Sequence, residues 1–130
     1  MKKSLTATLT MMALLTAAPS FAEDAGHPLF KDGDSLFKDF CSHCHGINMV
    51  NPGNSSYDLR KWPVANKKGF VGAVMKGKGD MPAWGDILFA EEVDALWIYV
   101  IMRAGKEPFP ADETDVTPTE DLLAEIEASG

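Results

Sequence analysis

Cysteine is scarce in this sequence: Cys41 and Cys44 are the only two among 130 residues, too few for a disulfide-stapled scaffold. Base is missing from the end of the chain, where everything from Glu107 onward holds eight acids and no lysine or arginine. With 12 Lys+Arg against 19 Asp+Glu, for a formal charge of −7, there is no basic footprint to release counterions from phosphates, so no nucleic-acid partner is expected. There is no apolar run long enough to span a bilayer comfortably, no convincing period-two alternation and no internal repeat. No phosphate loop or acid–base pair supports an enzyme. The 45% hydrophobic and 24% charged residues are ordinary globular values for one domain.

The first segment reads as an address. Lys2 and Lys3 form a positive start, Leu5 to Ala18 carries no charge, and Ser20-Phe21-Ala22 places small residues before a cleavage point. A signal peptide over 1–22 is therefore expected, giving a mature periplasmic chain from Glu23 with no stable membrane insertion. Loss of Lys2 and Lys3 takes the charge from −7 to −9. Residues 31–106 hold 10 bases and 9 acids, so the charge is polarised towards the tail. The expected organisation is a lead-in over 23–32, a domain over 33–105, and an acidic tail over 106–130 with a short helix.

Helical periodicity dominates the rest. Leu36, Phe37, Phe40, Cys41 and Cys44 share one side of an expected helix over 33–44, with Asp32 or Asp34 as cap and Gly46 as stop. Asn66 is expected to cap a helix over 67–76 that buries Phe70, Val71, Val74 and Met75. Residues 91–104 form the clearest helix: Val93, Leu96, Trp97, Val100 and Ile101 line one face, with Arg103 in the last turn. Thr117-Pro118-Thr119-Glu120 reads as a capping box before an apolar stripe of Leu122, Leu123 and Ile126. That short helix is marginal alone and either docks or frays. The fold class is all-α.

Cys41-Ser42-His43-Cys44-His45 is a C-x-x-C-H motif. A thioredoxin-like redox pair would need a βαβ context, which is missing. Zinc needs four ligands, and outside the motif only His27 could add one. Covalent haem attachment fits best: two thiols on one helical turn reach the two vinyl groups, and His45 follows as the proximal iron ligand. For the opposite axial position Met102 and Met75 sit on expected core faces, and Met49 is too close in sequence to His45. Met81 stands in a loop before Pro82, which holds its backbone away from helix, and is the expected second axial ligand. His43 is read as a surface residue.

These residues resemble a class I, single-haem cytochrome c, a small helical bundle around one covalent haem c. Gly33-x-x-x-Phe37 and Leu96-Trp97-x-Tyr99-Val100 are similar to the family's crossing helices, and Met81-Pro82-Ala83-Trp84-Gly85 to its methionine loop. The resemblance covers roughly Lys31 to Gly105 and implies a soluble one-electron carrier with both axial positions filled. Tyr57-Asp58-Leu59-Arg60-Lys61-Trp62-Pro63 and Asp80 to Asp86 further resemble small periplasmic cytochromes that accept electrons from quinoprotein (PQQ-dependent) alcohol dehydrogenases. That implies such a dehydrogenase as donor and a terminal oxidase or another cytochrome as acceptor. A general respiratory cytochrome with another donor, or a haem sensor or enzyme with an open sixth site, are the competing readings. Arg60 and Trp62 are candidate donors to a haem propionate, and Trp84 a haem-pocket wall. Lys67, Lys68, Lys76 and Lys78 are candidates to steer an acidic partner. Pro52 follows His45 by only seven residues, whereas many members use a proline carbonyl to orient the imidazole.

Overall fold

The computed structural model describes residues 26–130; the expected signal peptide lies outside them. Helices α1 (Phe30–Leu36), α2 (Ser42–His45), α3 (Lys67–Lys76), α4 (Ala90–Ile101) and α5 (Thr119–Ala128) are joined by turns and loops, with no named strand among the described residues. The bundle is all-α, as its periodicity requires.

α4 is the hub because it is apolar almost all round: every residue from Ala95 to Ile101 is buried. Fully burying a large apolar side chain stabilises by about 1.5–3 kcal/mol, so this helix has nowhere to go but the centre. α1 crosses it at Gly33, where a Cβ would lie 2.1 Å from the Ala95 carbonyl oxygen; only hydrogen fits. Phe30 and Phe37 flank that crossing, with ring centroids 5.5 and 4.8 Å from Tyr99.

Several expected boundaries move for local reasons. α1 begins at Phe30 after Leu29 with no side-chain cap, so neither Asp32 nor Asp34 is the cap; Asp34 pairs instead with Lys38 at 2.5 Å. The expected continuous helix over 33–44 contains a π-helical turn at Phe37–Cys41. α4 stops at Ile101, because Arg103 and Ala104 adopt positive φ of 51° and 57°, which ends right-handed helix. Its start is fastened by the Phe89 N–H, which donates to the Glu92 carboxylate at 2.8 Å. Asn66 caps α3 as expected, accepting from the Gly69 N–H at 3.0 Å. Met49 and Met102 are wholly buried in the core.

The tail helix docks. Leu122 is buried, and Leu123 and Ile126 pack against the core. Its cap is not the expected Thr117 box: Asp94 of α4 accepts both the Thr119 N–H at 3.0 Å and the Thr119 hydroxyl at 2.5 Å. A carboxylate of α4 thus satisfies donors that the tail would otherwise leave open.

Candidate functional site

The C-x-x-C-H turn sits where the helix changes pitch. In the π-turn the Ser42 N–H donates five residues back, to the Phe37 carbonyl. The Lys38 carbonyl accepts the Ser42 hydroxyl at 2.7 Å instead. Such one-turn insertions occur often at functional sites because they re-aim side chains without ending the helix. α2 then carries Cys44 and His45, and Gly46 ends it. Both cysteines are free thiols, Cys41 half-buried and Cys44 exposed. Burial, aided by neighbouring Cys44, pushes the Cys41 thiol up to about 12. A low-pKa redox thiolate is the opposite condition, which counts against the thioredoxin-like alternative. Among the described residues no group of three or more His, Cys, Asp and Glu gathers as a metal site.

His45 is held in one tautomer. Its Nδ1 lies 3.0 Å from the Tyr57 carbonyl oxygen. A carbonyl only accepts, so Nδ1 is the donor, and in the neutral imidazole Nε2 keeps its lone pair for a metal. The orienting carbonyl is therefore that of Tyr57, not of Pro52. Asn54 braces the same turn, its side-chain amide donating to the Cys44 carbonyl at 2.9 Å. Neither was legible beforehand: every residue has a carbonyl, and Asn54 stood only in a turn-rich run.

Met81 is half-buried in a short loop folded back on α3. Trp84 and Gly85 donate their N–H groups to the Val74 and Met75 carbonyls at 2.9 and 3.1 Å, satisfying acceptors at the end of that helix. Lys78 and Met81 exchange two backbone bonds of 3.1 Å each. Gly77, at φ +76°, makes the turn possible, since a Cβ there would meet the Met81 carbonyl oxygen at 2.7 Å. The loop reaches the cysteine turn through Phe40 and Trp84, edge to face with ring centroids 5.5 Å apart. Phe40, Cys41, Trp62, Met75, Met81 and Trp84 are all partly buried against the core. Apolar side chains, two thiols and an imidazole whose Nδ1 is already engaged are the donor set suited to a flat macrocycle bearing iron and two vinyl groups.

The candidate propionate donors are engaged elsewhere. Arg60 binds Asp58 in a bidentate pair, Nε and Nη2 each 2.8 Å from a carboxylate oxygen, and holds its carboxyl below the usual range. The Trp62 indole N–H donates to the Asn66 carbonyl at 3.0 Å. Of the four lysines, Lys67 is buried and paired with Asp94, and Lys68 pairs with Glu125. Lys76 and Lys78 remain exposed, with no ion-pair partner among the described residues. Arg103 carries a function that its position did not suggest. Its Nη1 donates to the Leu59 and Val100 carbonyls at 3.2 and 3.3 Å, and its Nη2 to Trp62 at 2.9 Å. That ties the loop after Tyr57 to the end of α4.

A helical bundle with paired thiols and an oriented imidazole defines a covalent-haem electron-transfer protein. The family model described as cytochrome c oxidase, cbb3-type, subunit III, matches residues 28–100. The chain belongs to the class I monohaem cytochrome c family, carries haem c, and is an electron carrier and not an enzyme. It is 39% identical over 79 residues to cytochrome c6 of Microcystis aeruginosa, covering 58% of this chain and 98% of that one. It is 31% identical over 102 residues to cytochrome c6 of Gloeothece citriformis, covering 75% and 88%. Over 74 residues it is 36% identical to the quinohemoprotein alcohol dehydrogenase ADH-IIG of Pseudomonas putida, covering 55% of this chain and 10% of that enzyme. No solved structure matches it significantly. Among the described residues no helix is long and apolar enough to cross a membrane.

Proposed function

We propose that the chain is a periplasmic shuttle that accepts single electrons from a PQQ-dependent alcohol dehydrogenase and passes them towards a terminal oxidase. In this reading residues 1–22 are a cleaved signal peptide, 23–32 a lead-in, 33–105 the haem domain and 106–130 an acidic extension. Cys41 and Cys44 would hold the haem through thioether bonds, and His45 Nε2 and the Met81 sulfur would be the protein ligands to its iron. When bound, the haem supplies a reversible ferric/ferrous couple. The chain's own work is to keep His45 in one tautomer through Tyr57 and to hold Met81 on a rigid loop, so that little rearranges between oxidation states. Thioether ligation favours ferrous iron and so raises the potential. Trp84 contributes to the wall of the haem pocket.

The donor assignment rests on one observation, the 36% identity to a quinohemoprotein alcohol dehydrogenase over 74 residues. A second reading, a general carrier with a different donor, is favoured by the cytochrome c6 relatives, which align along most of their own length. Stopped-flow reduction of the ferric protein by the host's purified quinoprotein dehydrogenase plus alcohol, at two ionic strengths, separates them. Fast, salt-sensitive reduction supports the first reading, since charge steering acts on association. No reduction, in protein still reduced by a small chemical donor, eliminates it.

A further inference from the structure

The family match ends at residue 100, and nothing in it accounts for the extension that follows. We propose that the C-terminal extension is a clamp that positions the Met81 loop: docked α5 fixes α3, and α3 carries the loop. The inference rests on the reading of Met81 as axial ligand and assigns the tail to that same site.

The front end of α3 is bolted at a single atom. Lys67, only 3% exposed, donates to Asp94 Oδ1 at 2.6 Å and to the Thr117 carbonyl of the tail. The same Oδ1 receives both donors of Thr119. One carboxylate oxygen thus joins α3, α4 and α5. A lysine so deeply buried would be costly without that pairing.

Three further contacts hold the extension along its length. The Trp97 indole N–H donates to the Asp115 carbonyl at 2.9 Å, and the Asp115 N–H to Val64 at 3.2 Å. Ile126 of α5 comes to 3.9 Å of the Cβ position of Gly72, on α3. The exposed Lys68–Glu125 pair at 3.1 Å adds little, being solvated and screened.

The back end of α3 carries the methionine loop through the Val74 and Met75 carbonyls. Any tilt of α3 relative to α4 is therefore handed to Met81. A tail that served only solubility would need none of these buried contacts.

The test uses full-length, haem-loaded protein. Imidazole can reach ferric iron only when the loop opens, so its apparent dissociation constant falls as the open fraction rises. Thr119→Val and Leu122→Ala are each expected to lower that constant by about tenfold and to weaken the near-infrared sulfur-to-iron absorption. Phe30→Ala, at the opposite α1–α4 contact, should lower the thermal midpoint and leave imidazole affinity unchanged. If Leu122→Ala does not fold, Leu122→Val is measured in its place, with a smaller shift of the same sign expected. The clamp is refuted if both tail variants keep the wild-type affinity whatever their stability, or if Phe30→Ala shifts it equally. Failure of the ligand reading looks different: the wild-type protein itself would lack the sulfur-to-iron absorption and bind imidazole as tightly as Met81→Ala.

Discussion

Replacing Gly33 by Ala puts a methyl carbon 2.1 Å from the Ala95 carbonyl oxygen and 2.9 Å from Tyr99 Cβ. Ordinary contact starts at 3.4 Å, so α1 and α4 must part by more than 1 Å at their crossing. Neither obstacle can rotate away, because one is backbone and the other is the root of a side chain. Helix propensity pulls the other way, favouring Ala over Gly by about 1 kcal/mol. Overpacking of this kind costs about 1–3 kcal/mol and occasionally more. Parting the helices also loosens the Phe30 and Phe37 contacts to Tyr99, each worth about 0.5–1.5 kcal/mol. The net expectation is a loss of about 2–4 kcal/mol, or roughly 10–25 °C in thermal midpoint for a domain of this size. Far-ultraviolet circular dichroism on haem-loaded protein reads it. A variant as stable as wild type, or more stable as Gly→Ala is on an open helix, would refute the close crossing.

Three further outcomes follow from particular contacts. Asn66→Ala removes the α3 cap and should cost about 1 kcal/mol in urea unfolding, while Asn66→Asp should cost far less. Arg103→Met strips donors from the Leu59, Val100 and Trp62 carbonyls and should cost about 3 kcal/mol; a loss below about 1 kcal/mol would show that the staple is idle. The Tyr99 hydroxyl is buried without a hydrogen-bond partner of good geometry. Burial, with the Asp34 carboxylate nearby, pushes its phenol up to about 12, above its unfolded value of about 10. The folded chain then keeps a proton that the unfolded chain releases, so stability falls as pH rises through that window. Tyr99→Phe should leave neutral stability nearly unchanged and remove up to about 2 kcal/mol of that alkaline loss, measured by denaturation at stepped pH.

The helices were legible because the pattern that makes them is local. Val93 to Ile101 could only be a buried helix, and Asn66 before Lys67-Lys68-Gly69 could only be the cap of α3. The C-x-x-C-H turn was legible for the same reason, two thiols and an imidazole within five residues. What escaped depends on partners far away in sequence. Lys67 looked like a solvated charge until Asp94, 27 residues on, came beside it, and the long reach of Arg103 ends on carbonyls 41 and 44 residues back. Arg60 and Trp62 differ in that their bonds are local, to Asp58 two residues before and to the Asn66 carbonyl four residues on. The π-turn left no residue signature, since it is a shift of hydrogen bonding from four residues back to five.

Carbon monoxide binding to the ferrous protein at neutral pH tests the His45–Met81 carrier reading most directly. Wild-type protein should take up no carbon monoxide on the stopped-flow timescale, and Met81→Ala should bind it rapidly. Equally fast binding by both would mean an open sixth position, and would contradict an electron carrier ligated by Met81.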